Sequence, residues 1–172
     1  MAMALLMKER VLVTNAELVG ELEAKGYGER QGNQLLLSPE EALYLKEKRQ
    51  EFDVQNKSGK SVTYEAMWKT FLKTDKEFEM KYLVFRDLKD RGFCVKTGFK
   101  FGSHYRVYAR GDKPGKGHAI WLVHVLPEET KVDIIVLSRA IRLAQNVRKK
   151  MIYAVVDKES NITYYRFDRI TP

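Results

Sequence analysis

The stretch MIYAVV, Met151–Val156, contains no charged side chain, and its one polar atom is the Tyr153 hydroxyl. A half-wet strand alternates apolar and polar residues, so an unbroken apolar run of this length marks a strand buried inside a sheet. Partners for it are close by. FCVKTGF, SHYRVYAR and HAIWLVHVL read as strands, the last ended by Pro127, and NITYYRFDRI reads as the final strand after a DKES turn. SRAIRLAQNVRK reads as a helix that begins a few residues before Ser138. A mixed sheet with helices packed on it is the assembly these segments favour.

The first half reads differently, as a small α+β unit. RVLVT and QLLL are short strands. NAELVGELEAKGYG is a helix capped by Asn15 and stopped by Gly26 or Gly28. SPEEALYLKEKRQ is a helix with Ser38 at the N-cap, Pro39 in the first helical position, acids in the first turn and bases in the last. TYEAMWKTFLK follows the NKSGKS turn as another helix. A longer helix, KEFEMKYLVFRDLKDRG, ends at Gly92, and Phe78, Tyr82, Leu83, Phe85 and Leu88 form its apolar stripe. The 172 residues fit one large domain or two small ones. The boundary falls near the first turns of that longer helix, giving an amino-terminal domain over 1–82 and a carboxy-terminal domain over 83–172.

Charge divides at the same place. Residues 1–82 carry 13 Lys and Arg against 14 Asp and Glu, whereas residues 83–172 carry 18 against 9. The whole excess of +8 therefore sits in the second half, where it would attract a polyanion such as nucleic acid. No apolar run approaches a membrane span. The start, MAMALLMKERV, lacks the basic front and cleavage site of a signal peptide. Cys94 is the only cysteine, which suits a reducing cytoplasm and excludes an internal disulfide.

The chemistry that this basic half permits is narrow. Its 9 acids are scattered, and no D…E-x-K arrangement stands on adjacent strands to hold magnesium. No His/Cys cluster suits zinc. GDKPGKG lacks the Ser or Thr of a phosphate-binding loop and is not followed by a helix, and no nucleophile elbow occurs. Metal-free acid–base chemistry remains. RNA brings its own nucleophile, the 2′-OH, so cleavage needs a base, an acid for the departing 5′-oxygen and a fixed positive charge. RVYARGDKPGKGHAIWLV, Arg106 to Val123, hangs a tyrosine and a histidine on either side of one loop. A tyrosine, with an ordinary pKa of about 10, serves as a base only if cations lower it, and Arg148-Lys149-Lys150 is the candidate cluster.

At this point the chain resembles the archaeal tRNA-splicing endonucleases. The likeness rests on KFGSHYRVYARG, on GHAIWLVHV, on SRAIRLAQNVRKKMIYAVVD followed by ITYY, and in the first half on LLLSPEEALYL. The resemblance implies a restriction-endonuclease-like α/β domain with a mixed central sheet behind an α+β amino-terminal domain. It implies metal-independent, cofactor-free cleavage of precursor tRNA at a bulge-helix-bulge, leaving a 2′,3′-cyclic phosphate and a 5′-OH. The family's base, acid and transition-state stabiliser fall on Tyr108, His118 and Lys149. Its base-stacking arginine falls on Arg142. The aromatic partner on the last strand is taken as Tyr164, with Tyr165 and Phe167 as alternatives. Lys113, Lys116 and Arg148 are expected to contact RNA.

The resemblance also implies assembly. Asp157 matches the acidic residue of a loop that enters a basic pocket on a partner subunit, and Glu159 lies beside it. A homotetramer, or a heterotetramer with a related subunit, is the expected state, and a non-catalytic structural subunit is the alternative function. Two histidines compete with His118. His124 lies mid-strand in an apolar run and reads as core, while His104 shares strand parity with Tyr108 and stays a rival.

Overall fold

Ser38, Pro39 and Glu41 set the start of a helix by complementary chemistry. Ser38 Oγ accepts from the Glu41 amide at 3.2 Å, and Glu41 Oε2 accepts from the Ser38 amide at 3.0 Å. Pro39, lacking an amide proton, takes the first helical position. The computed structural model describes residues 4–170, so the first three residues of the apolar start and the last two of the chain lie outside the described residues. The chain divides into two compact units, Met1–Glu79 and Met80–Pro172.

The first unit contains β1 (Ala4–Leu6), β2 (Val11–Val13), α1 (Ala16–Ala24), β3 (Glu29–Gln31), β4 (Gln34–Leu37), α2 (Pro39–Lys48), β5 (Val54–Gln55) and α3 (Tyr64–Thr74). Its sheet runs β3-β4-β2-β1-β5, with only the β1–β5 pair parallel. Asn15 caps α1 through its side-chain oxygen, which accepts from the Leu18 amide at 2.9 Å. Val11, Val13, Leu22, Leu35, Leu37 and Leu43 are fully buried and make the core. Three strands escaped the sequence reading: β1, β3 and β5 are two or three residues long, and each exists through a neighbour rather than through its own pattern. Glu41 ties the unit together beyond its cap. It is 3% exposed, and its Oε1 accepts from the Gly28 amide at 3.0 Å.

The second unit holds most of α4 (Phe78–Asp90), then β6 (Cys94–Thr97), β7 (Tyr105–Tyr108), β8 (Ala119–Pro127), α5 (Ile134–Asn146), β9 (Lys150–Val156) and β10 (Ile162–Phe167). Its sheet runs β10-β9-β8-β7-β6, and β8 with β9 is the one parallel pair. A parallel pair cannot be closed by a tight turn, so the chain leaves the sheet after Pro127 and returns through α5. Asp133 starts that helix, its Oδ1 accepting from the Ile135 amide at 2.7 Å.

The helices cover opposite faces. On one, Leu122, Ala144, Met151 and Tyr153 form a buried cluster under α5. On the other, Phe85 of α4 meets Tyr105 with ring centres 6.0 Å apart, and the Tyr105 hydroxyl donates to the Lys81 carbonyl at 2.9 Å. The apolar run of β9 is thereby buried on both sides, as an interior strand requires. Between β6 and β7 the chain turns through a short 3₁₀ segment, Phe99–Phe101. Gly98 is required there, since a β-carbon would come within 2.8 Å of the Ser103 carbonyl.

Replacing Glu41 with Ala removes two hydrogen bonds to a buried carboxylate. The expected loss is about 2–3 kcal/mol of folding free energy, read as a lower midpoint in urea followed by circular dichroism. An unchanged midpoint would contradict the structural role of this carboxylate.

Candidate active site

Tyr108, His118 and Lys149 come from three strand ends that meet at one end of the carboxy-terminal sheet. Tyr108 is the last residue of β7, His118 immediately precedes β8, and Lys149 immediately precedes β9. The strands β7, β8 and β9 are consecutive neighbours. Tyr108 pairs with Ala119, and Trp121 pairs with Lys150. A bulge shapes this corner: Val107 pairs with Trp121 but Tyr108 pairs with Ala119, leaving Ile120 as an extra residue on β8. The bulge turns Ala119 to the face of Tyr108, and Cys94, Tyr108 and Ala119 make a small buried cluster.

Residues 109–118 connect the tyrosine to the histidine as a tight, internally bonded loop. The Gly117 amide donates to the Lys113 carbonyl at 2.9 Å, and a β-carbon on Gly117 would collide with the Asp112 side chain at 2.6 Å. His118 leaves this loop exposed. Lys113 and Lys116 lie on the loop, and Lys116 is exposed.

Tyr108 is 5% exposed, and its phenol is pushed above its usual pKa, chiefly by burial. This corrects the expectation that Arg148-Lys149-Lys150 lowers it. The cation that acts against burial is Arg106, on the same strand, and Cys94 adds to the upward push. Sequence reasoning missed Arg106, although its two-residue spacing from Tyr108 was a usable signal.

Lys149 is delivered by the end of α5. The Lys149 amide donates to the Ala144 carbonyl at 2.8 Å and the Arg148 amide to the Gln145 carbonyl at 2.9 Å. This is a Schellman closure. Arg148 holds the left-handed position at φ 55, where glycine is usual. The Lys149 ammonium donates to the Val147 carbonyl at 3.2 Å and lies 5.4 Å from the centre of the Phe101 ring.

Two further expectations are changed by the geometry. Tyr164 is not on the α5 side of the sheet. Its hydroxyl donates to Asp87 Oδ2 of α4 at 2.7 Å, and it lines a cleft of about 490 Å³ with Arg91, Arg110, Trp121, Lys150 and Arg166. Side chains alternate along a strand, so Tyr165 and Phe167 share the α5 face, with Phe167 against Tyr153 at 5.4 Å. Tyr165 is 50% exposed there and Arg142 is exposed on α5, so Tyr165 replaces Tyr164 as the aromatic on that side. His104 accepts a hydrogen bond at Nδ1 from the Val125 amide at 2.8 Å and lies at the opposite end of β7 from Tyr108, which removes it as a rival. His124 is packed 5.3 Å from the Tyr153 ring, and burial lowers its pKa. Finally, Asp157 spends both carboxylate oxygens on its own turn, accepting from the Asn161 amide at 2.8 Å and from Asn161 Nδ2 at 2.9 Å. These bonds hold its pKa below the usual range. Glu159 stands exposed at the turn tip.

Among the described residues, no cluster of three His, Cys, Asp or Glu side chains is placed to hold a metal ion, and no helix is long and apolar enough to cross a membrane.

Comparison with known proteins gives one consistent result. The family model for the tRNA intron endonuclease catalytic C-terminal domain matches residues 78–164, and that for the tRNA intron endonuclease N-terminal domain matches residues 2–68. The tRNA-splicing endonuclease of Pyrococcus abyssi (strain GE5 / Orsay) is 39% identical over 163 residues, covering 94% of this chain and 92% of the relative. That of Thermococcus gammatolerans (strain DSM 15229 / JCM 11827 / EJ3) is 39% identical over 162 residues, 93% of each chain. That of Methanococcus vannielii (strain ATCC 35089 / DSM 1224 / JCM 13029 / OCM 148 / SB) is 35% identical, over 94% of this chain and 90% of the relative.

Tyr164→Phe deletes a hydrogen bond to a carboxylate and is expected to cost about 1–2 kcal/mol. The folded-state pKa of Tyr164 is raised by burial and by Asp87. Its contribution is therefore fully present below the unfolded tyrosine pKa of about 10 and fades only as pH rises through the higher folded value. Thermal melts at neutral pH should show the loss, with RNA affinity unchanged; a variant of full stability and weakened RNA binding would contradict this placement. Arg148→Gly should raise stability by up to about 1 kcal/mol by relieving the left-handed backbone. It should also flatten the salt dependence of RNA binding by about one unit of slope.

Proposed function

The chain belongs to the tRNA intron endonuclease family, and from that premise we propose that Tyr108, His118 and Lys149 carry out its reaction. The protein is an RNA endonuclease of tRNA splicing, a tRNA-intron lyase that acts on precursor tRNA. In this reading Tyr108 takes the proton of the 2′-OH, and the 2′-oxygen attacks the adjacent phosphorus. The bond from phosphorus to the 5′-oxygen breaks as His118 protonates that oxygen. Lys149 balances the charge that builds on the phosphoryl oxygens. The products are a 2′,3′-cyclic phosphate and a 5′-OH, and no metal takes part.

The observation that carries this reading is the adjacency of three strand ends, β7, β8 and β9, each bringing one residue type that the chemistry requires. The exposed imidazole suits an acid that meets substrate from solvent. The buried phenol suits a base only once cations offset the desolvation that holds it neutral. We read the sheet between α4 and α5 as restriction-endonuclease-like, and the amino-terminal unit as serving assembly and RNA positioning.

The substrate contacts follow from the same face. Arg142 and Tyr165 would stack a base extruded from a bulge, an interaction worth roughly 1–3 kcal/mol per base. Lys113, Lys116 and Arg148 would meet phosphates. Recognition would then read the shape of a bulge-helix-bulge rather than its sequence. Two cuts require two active subunits at a fixed separation, which favours a homotetramer, or a heterotetramer with a related subunit. The exposed Glu159 end of the Asp157–Ser160 turn is the acidic surface offered to a partner. A single free thiol, Cys94, suits the cytoplasm.

Purified protein should cut an intron-bearing precursor tRNA twice in excess EDTA, leaving cyclic-phosphate ends. His118→Ala and Tyr108→Phe should each slow single-turnover cleavage by about 10²–10⁴-fold, and Lys149→Ala by about 10²–10³-fold, with RNA affinity within a few-fold of the parent. Cleavage that disappears with EDTA, or survives in His118→Ala, would refute the assignment. RNA binding without any cleavage would identify the chain as a structural subunit.

A further inference from the structure

Arg106 lies two residues before Tyr108 on β7, so strand parity puts both on the α5 face of the sheet. In register it pairs with Lys96 on β6 and Leu122 on β8. Its Nε is buried with no hydrogen-bond acceptor, and among the described residues no carboxylate is paired with it. The guanidinium carbon stands 6.0 Å from the centre of the Tyr108 ring.

A guanidinium held partly out of water with no acceptor at Nε is costly, and native folds retain such groups only where something offsets the cost. The side chain beside it is one whose proposed task is to become an anion. A cation over an aromatic face gains modestly against the neutral ring, and it gains more when that ring carries a full negative charge. We propose that Arg106 is a positioning residue for the cleavage reaction: its guanidinium holds the Tyr108 ring and stabilises the phenolate that removes the 2′-OH proton. This rests on the reading of Tyr108 as the base.

The elements that flank Tyr108 carry these titratable and charged groups: Cys94 and Lys96 on β6, Arg106 on β7, His118 at the entry to β8, Arg148 with Lys149 at the entry to β9, and Arg139 and Arg142 on α5, the helix over this face. Burial is the largest influence and raises the phenol's pKa, Arg106 opposes it, and Cys94 reinforces it. The Lys149 ammonium is turned to the Val147 carbonyl and the Phe101 ring. Arg106 is thus the cation already acting on the phenol in the free protein, and it is held on the rigid strand that carries the phenol.

The test is the pH dependence of single-turnover cleavage of precursor tRNA, with protein saturating. Arg106→Gln should cut the neutral-pH rate about tenfold and move the basic midpoint of the profile up by about one unit. RNA affinity should stay within twofold, and Arg106→Lys should recover most of both effects. Three results would overturn the proposal: a slower rate with an unmoved midpoint, RNA affinity that falls in step with the rate, or no change at all. If Arg106→Gln does not fold by circular dichroism, Arg106→Met, which retains the length of the chain's apolar stem, takes the same measurement with the same criteria. Tyr108→Phe runs in parallel. Full activity there would remove the base assignment itself, whereas an inactive Tyr108→Phe beside an unshifted Arg106→Gln would remove Arg106 alone.

Discussion

Two neighbouring strands that run the same way cannot be joined by a turn, and the parallel pairing of β8 with β9 imposes that constraint on the carboxy-terminal unit. The chain must leave the sheet, cross a face and re-enter beside its starting edge. The crossover is α5, which covers one face of β9, whose residues after Lys150 carry no charge. The same crossover ends at the beginning of β9, next to the beginning of β8. A lysine at the helix exit and a histidine at the strand entry are therefore neighbours by topology, 31 residues apart in sequence. The antiparallel neighbour β7 adds the tyrosine from its own last position.

How much of this could be read from sequence depended on whether the governing interaction was local. Ser38, Pro39 and Glu41 announce a helix start because every partner lies within four residues. The MIYAVV run announces an interior strand because burial on two faces leaves a mark on every position. The strands β1, β3 and β5 left no such mark, since two or three residues carry no period, and the partner of β5 lies some fifty residues back at Ala4 and Leu5. Tyr164 and Tyr165 differ by one step along β10, and a step reverses the face. Only the register with β9, Tyr165 opposite Tyr153 and Tyr164 opposite Ala154, decides between them. Burial of Tyr108 was illegible for a related reason: the cover over its ring comes from β6, β8 and the bulge at Ile120.

The electrostatics of the site are organised at two ranges. The basic excess of the second half acts over distances comparable to the screening length and would draw in a polyanion. Inside the site the relevant charges are few and held by backbone. Arg106 is fixed by a strand, and Arg148 by a helix closure that accepts a strained φ of 55 to present it. Non-glycine residues in the left-handed region tend to mark function. Here the strained residue immediately precedes Lys149, the lysine proposed for charge balance, so one closure fixes the backbone of two successive cations.

The extra residue at Ile120 has a consequence for how such a chain can change over generations. From Trp121 onward β8 is locked to β9 by seven successive partners, so nothing upstream can slide that part of the sheet. The bulge takes up any one-residue discrepancy between this fixed portion and the segment carrying His118. Insertions or deletions within 109–117 are thereby insulated from the sheet, and the loop becomes the part of the protein where length is cheap. Lineages that inherit this scaffold would then vary in the length of this loop, with the strand framework passed on unaltered.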